Sequence, residues 1–215
     1  MKENLIAWIS FAIILSNFYI ISSSRLTYQI RGIVAQGLLL SILPLALFNG
    51  EDLFNMIILV IMGVAIKGII VPRYLTKTIQ DVRVGREVHP LIGYSFSMLY
   101  AVLTSAFAFF IISRIKELPE YFSPFHLSAA VATPFIGIYL IIARRNVVSQ
   151  IIGYLVLENA GFTLSLSVAV TQPLFVEMGV LLDLAGGIFI MTVAVNHIYL
   201  EHESINVESV ERLTQ

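Results

Sequence analysis

The chain has no cysteine, a single tryptophan and few charges: Asp, Glu, Lys and Arg together make up 13% of its 215 residues. The missing cysteine excludes a disulfide scaffold, and also iron–sulfur clusters or thiolate zinc sites held by this chain alone. A soluble domain carries about 25% charged residues, so the shortage of charge excludes an ordinary water-facing surface. The formal net charge of -1 leaves no basic footprint for nucleic acid. What is present is apolar: 58% of the residues are hydrophobic and the mean hydropathy is +0.88. Disorder and a collagen-like repeat are incompatible with that content. The composition therefore predicts an integral membrane protein, surrounded by lipid and crossing the membrane several times.

Runs of about 20 apolar residues bounded by charge mark membrane-spanning helices, and about seven can be read off the chain. They cover residues 5–22, 32–48, 53–75, 91–112, 126–142, 148–170 and 175–200. The first is long and is followed by no small-residue cleavage site, so it reads as a retained helix rather than a cleaved leader. The runs are continuously apolar rather than alternating, which predicts an all-α, polytopic transmembrane helical bundle and not a barrel. Pro44, Pro72 and Pro134 fall inside or near the ends of runs, where membrane helices tolerate them as kinks. The segments between runs are polar: Thr76 to Pro90 carries Lys77, Arg83, Arg86 and His89, and Arg144-Arg145-Asn146 marks a short turn.

Orientation follows from Lys and Arg. With an odd number of helices, the N-terminal side holds Lys2, Arg114 and Lys116, about three, and the other side Arg25, Arg31, Arg73, Lys77, Arg83, Arg86, Arg144, Arg145 and Arg212, about nine. The positive-inside bias places the N-terminus outside and the acidic C-terminal tail in the cytoplasm. A faint internal repeat, Gln29-Ile30-Arg31-Gly32 against Gln150-Ile151-Ile152-Gly153, divides the chain. Residues 1–90 form a three-helix unit with its cytoplasmic loop, 91–123 a connecting helix and loop, 124–200 a second three-helix unit and 201–215 the tail.

Four ionisable residues fall inside apolar runs or near their ends: Lys67, Glu158, Glu177 and Asp183. A charge at mid-bilayer costs about 2.5–3.5 kcal/mol on insertion scales, so such groups face a bundle interior, a partner or a water path. Glu158 lies roughly 15 Å along its helix, near the midplane. Asn159, Gly161 and Thr163 beside it are small or polar enough to admit water or a close helix. Asp183 lies about two turns into the last run, and Gly186-Gly187 after it permits close helix approach. Glu177 is six residues earlier, on roughly the opposite flank at 100° per residue. A carboxylate at a helix start also suits the macrodipole, which explains Glu177 without a functional role. Lys67 is the one cation among the four. It can relay protons, pair with a carboxylate, or snorkel to the interface. His126 and His197 stand at helix ends and not at ligand spacing, and no phosphate loop or catalytic triad is present.

Arg144-Arg145-Asn146, Gln150-Ile151-Ile152-Gly153-Tyr154, Leu157-Glu158-Asn159, Pro173, Val176-Glu177-Met178-Gly179 and Asp183 together resemble component E of hydrogenase-4, a membrane subunit of formate hydrogenlyase-type complexes. Lys67-Gly68-Ile69-Ile70-Val71-Pro72 fits the same pattern in the first half. The last three helices are similar to the K subunit of complex I and the C subunit of multisubunit sodium/proton antiporters, in which an intramembrane glutamate follows a short basic cytoplasmic loop. Glu158 after Arg144 and Arg145 matches; Ala160-Gly161-Phe162 departs from the relatives but touches no ionisable position. The resemblance implies a non-catalytic subunit of a group 4 membrane-bound nickel–iron hydrogenase, or a related complex I-like oxidoreductase. No cofactor would reside in this chain; nickel–iron and iron–sulfur centres would sit in partner subunits. The implied partners are antiporter-like membrane subunits, a membrane subunit like the H subunit of complex I, and peripheral hydrogenase-like subunits. Glu158, Lys67, Asp183 and Glu177 would then serve proton or sodium translocation coupled to electron transfer. A subunit of a cation/proton antiporter without a redox module is the alternative, and a structural scaffold whose charges are ion pairs is a third.

Overall fold

The computed structural model describes residues 2–47, 53–82, 90–115, 124–168 and 186–187. Helices account for most of these residues, without a strand among them: α1 (Lys2–Ser22), α2 (Leu26–Leu47), α3 (Leu53–Ala65), a π-helical turn (Ile66–Ile70), α4 (Val71–Val82), α5 (Tyr94–Ser113), α6 (Pro124–Ala143) and α7 (Val147–Val168). Five of them, α1, α2, α5, α6 and α7, are long and apolar enough to cross a membrane. The expected seventh helix, 175–200, lies outside the described residues except for Gly186 and Gly187, which are helical.

Four helices close a ring, with α1 against α2, α2 against α7, α7 against α6, and α6 back against α1. α5 lies outside α1 and α6, and the α3–α4 rod lies outside α2, with α4 reaching α7. The tightest crossing joins α6 to α7. A Cβ added at Gly137 would lie 2.7 Å from the Leu157 nitrogen, and one at Gly153 would lie 2.9 Å from the Ile141 nitrogen. Only glycine lets the two backbones touch, the small-residue packing that membrane helices use in place of a hydrophobic driving force. Apolar residues from α1, α2, α4, α5, α6 and α7, among them Ile20, Leu26, Leu75, Ala101, Ile136 and Ile152, form the main apolar core.

Polarity is inverted relative to a soluble bundle. Asn17, Gln36, Lys67, Thr133, Glu158 and Asn159 are buried, while Trp8, Phe54, Phe96 and Phe107 are more than 60% exposed. Such an outside suits hydrocarbon, because scattered apolar residues are common on a soluble surface but a continuous apolar exterior is not.

Two boundaries depart from the sequence expectation. The third run does not stop at Leu75: helix continues through Thr76–Val82, which was expected as the start of a polar loop. The reason is amphipathicity, which α4 shows at helical spacing. Leu75 is buried with Tyr74 and Ile79 packed beside it, while Arg73, Thr76, Lys77 and Gln80 stay outside. The second run also begins earlier, at Leu26, so Arg31 sits within α2 rather than before it.

Candidate functional site

Lys67 sits where the third rod is interrupted. The Val71 N–H bonds the Ile66 carbonyl, five residues back. Pro72 explains the wider turn: its ring would press on the carbonyl of Gly68, four residues earlier, and it offers no N–H to continue the α-helical ladder. The π turn relieves that clash and carries Lys67 toward the bundle. Gly37 of α2 provides the slot, since a Cβ there would lie 2.8 Å from Lys67 Cβ. The lysine is 9% exposed. Its Nζ donates to Asn159 Oδ1 at 2.8 Å and stands 4.8 Å from the Phe162 ring centroid, a cation–π contact.

Glu158 precedes Asn159 on α7 and is also buried. The two side chains leave the helix about 100° apart, so they face different neighbours. Asn159 turns to α2 and Lys67. Glu158 turns to Gly186, where an added Cβ would lie 2.6 Å from Glu158 Oε2. A cavity of about 20 Å³ is lined by Lys67, Glu158, Asn159 and Gly187 with Ile33, Ile66, Val71 and Leu155. That volume holds about one water, and the polar walls supply its partners. Glu158 lies roughly 16 Å along α7 from Val147, about half the thickness of a bilayer core.

From Asn159 a run of side-chain hydrogen bonds crosses the ring of helices. Asn159 Nδ2 donates to Gln36 Oε1 at 3.2 Å, Gln36 Nε2 to Asn17 Oδ1 at 2.8 Å, and Asn17 Nδ2 to Thr133 Oγ1 at 2.9 Å. Thr133 Oγ1 donates in turn to the Ala129 carbonyl at 2.6 Å. The π turn, α7, α2, α1 and α6 each contribute one member. Chemically, the site brings a cation and a carboxyl group to one water-sized cavity, backed by a row of amides. That arrangement can hold a proton or exchange it.

The structure thus brings Lys67 and Glu158 to one cavity. Asp183 and Glu177 lie outside the described residues. The two arginines expected together in a basic loop separate. Arg145 is exposed, while Arg144 is fully buried, its Nη2 donating to the Ile21 carbonyl at 2.6 Å. Its guanidinium also lies 4.5 Å from the Tyr94 ring centroid. Arg144 therefore ties the ends of α1, α5 and α6 together, whereas the same turn caps α7 through Asn146 Oδ1, which accepts from the Val148 N–H at 2.8 Å. His126 is buried, with Ser10 Oγ 2.9 Å from its Nδ1. Asn17, Gln36 and Thr133 were not singled out by sequence reasoning. The available signal was an amide or hydroxyl inside an apolar run, where a polar side chain needs a partner.

No family model matches the chain, and no solved structure matches it. Known proteins do. An uncharacterized protein of Mycobacterium tuberculosis is 24% identical over 182 residues, 84% of this chain and 83% of that protein. Hydrogenase-4 component E of Escherichia coli is 24% identical over 148 residues, 68% of each chain. The protein of the same name from Shigella flexneri matches to the same extent. Across two thirds of its length, then, the chain is a distant relative in sequence of hydrogenase-4 component E.

Proposed function

We propose that this chain is a non-catalytic membrane subunit of a hydrogenase complex, of the group 4 nickel–iron, formate hydrogenlyase-like kind, and that it contributes buried ionisable groups to proton or sodium translocation. The observation that carries the reading is the meeting of Lys67 and Glu158 at one water-sized cavity near mid-helix, in a chain similar to hydrogenase-4 component E. Ionisable groups are expensive in a bilayer and mark ion paths when they face a polar interior. Electron transfer and its nickel–iron and iron–sulfur centres belong to partner subunits. Antiporter-like membrane subunits, a subunit like the H subunit of complex I and peripheral hydrogenase-like subunits are the expected neighbours in the plasma membrane. In this reading the N-terminus is outside, and Asp183 and Glu177 on the last apolar run extend the row of titratable groups.

The chemistry needs two states. With Glu158 ionised, the carboxylate attracts the Lys67 ammonium at the cavity they share. Protonating Glu158 removes that attraction and leaves Lys67 held by Asn159 and the Phe162 ring. A ligand or neighbouring charge that prefers one state shifts the balance by its differential interaction with the two.

The test is purification of the complex carrying this chain from native membranes in mild detergent, followed by mass spectrometry and proton uptake in proteoliposomes. A hydrogenase-like large subunit with antiporter-like subunits is expected, and Glu158→Gln should lower proton uptake per electron pair at least tenfold while the complex stays assembled. Antiporter-like subunits alone would replace this reading with a cation/proton antiporter. A chain that purifies without partners, or a Glu158→Gln complex that pumps normally, would overturn it.

A further inference from the structure

The hydrogen bonds that leave Asn159 all run in one direction, and chemistry fixes that direction at both ends. The Lys67 ammonium can only donate, so Asn159 must present its carbonyl oxygen to it. The Ala129 carbonyl can only accept, so the Thr133 hydroxyl spends its proton there and offers a lone pair to Asn17. Between those ends each amide has one arrangement that satisfies both neighbours: oxygen toward Lys67, NH2 toward Thr133. A carboxamide whose partners vanish can turn by 180° and exchange its oxygen for its nitrogen. Asn159 turned that way would aim N–H groups at an ammonium.

We propose that Gln36, Asn17 and Thr133 are positioning residues that act through Asn159, locking its carbonyl toward Lys67 and so parking the ammonium beside Glu158. The lock is set from α6, four hydrogen bonds away from the cation. Aligned amides polarise one another, so the row strengthens the acceptor that Lys67 meets. Several groups of the described residues stand about Lys67. α2 presents Gly37, α7 presents Asn159, Phe162 and the titratable Glu158, and Gly187 lines the same cavity. Arg73 and Lys77 on α4 line a different groove, with Gly68, Pro72 and Gln80. His126 belongs to the Ser10 contact.

This inference deepens the proposed function and rests on it for its consequence, yet it is tested without the complex. The full chain, labelled with 15Nζ-lysine and reconstituted in lipid bilayers, contains lysines at positions 2, 67, 77 and 116. Lys67→Met identifies the Lys67 signal by its loss. Thr133→Val keeps the shape of the side chain and removes the hydroxyl, and it should displace the Lys67 15Nζ resonance although residue 133 does not touch Lys67. Thr133→Ser should return the signal to the wild-type position. Gln36→Leu, nearer the lysine, should displace the resonance further in the same direction. A Lys67 signal unmoved by Thr133→Val or by Gln36→Leu, in protein whose backbone spectrum is otherwise wild type, overturns the proposal. Normal pumping by Lys67→Met in the intact complex would remove Lys67 from ion transfer but leave the measured lock in place, so the two failures are distinguishable.

Discussion

Among the described residues two cations are buried, Lys67 and Arg144, and their surroundings give them different work. Arg144 is wrapped: a backbone carbonyl accepts from one nitrogen and an aromatic ring lies against the guanidinium plane. A planar, always-charged fork suits such a fixed site, and lysine does not replace it. Arg144→Lys should therefore lower stability by about 1–3 kcal/mol, the range for a buried polar partner left unsatisfied, seen as a lower midpoint of thermal unfolding in detergent. An unchanged midpoint would mean that Arg144 does not hold the helix ends. Lys67 instead meets the Asn159 amide and the Phe162 ring beside a cavity large enough for water, which Glu158 also lines. Sequence alone separated these two poorly. Lys67 and Glu158 stood out because a charge inside an apolar run has few explanations. Arg144 sat between two runs beside Arg145 and so read as part of a solvated turn, because adjacency in sequence does not reveal which of two neighbours folds inward. Asn17 and Gln36 were visible as amides in apolar runs, but their pairing depends on which helices adjoin, and hydropathy does not report that.

At the scale of elements, the positions of the helices were largely legible and the contacts between them were not. Five runs became helices long enough to span a bilayer, with ends within a few residues of the apolar boundaries except at the start of α2. The π turn was not foreseen: Pro72 pointed to a kink, but the wider turn that carries Lys67 inward depends on how the ladder repairs itself after the proline. Crossing geometry is equally silent in hydropathy, although glycines in the right places carry it. Gly137→Ala places a methyl 2.7–3.0 Å from Leu157 and Gly153 backbone atoms, none of which can rotate aside. That change should destabilise the bundle by about 1–3 kcal/mol, the usual effect of overpacking. Gly93→Ala, whose methyl meets nothing within 4 Å, should leave the unfolding midpoint unchanged. Equal midpoints for the two variants would refute the α6–α7 contact. The packing of α3 on α2 has its own check. An added Cβ at Gly63 lies 3.2 Å from Ser41 Cβ, near the separation of about 3.8 Å found in disulfides. In this cysteine-free chain, Ser41→Cys with Gly63→Cys should cross-link under mild oxidant. A glutamate-specific protease, cutting after Glu3, Glu51 and Glu87, should then release residues 4–51 and 52–87 as one reducible fragment.

At the scale of the whole molecule, an apolar exterior and a polar interior are two halves of one physical statement. Hydrocarbon outside forbids unsatisfied polar groups there, so the polar residues gather inside, and the ring α1–α2–α7–α6 is where they meet. Where the π turn docks on that ring, Lys67 and Glu158 should behave as a unit rather than as two independent parts. A double-mutant comparison in the intact complex measures this. Lys67→Met and Glu158→Gln should each lower proton uptake per electron pair about tenfold or more, and the double variant should be no worse than the more severe single one. Groups that act together are strongly non-additive. The neutral pair leaves no buried charge behind, whereas either single change strands a charge in low dielectric; removing one partner of a buried pair costs about 3–5 kcal/mol, and replacing both is often near neutral. The double variant should therefore assemble better than either single variant while pumping no better. Losses that simply multiply would show that the two groups serve separate paths, with the cavity they both line a packing defect and not the place where an ion changes hands.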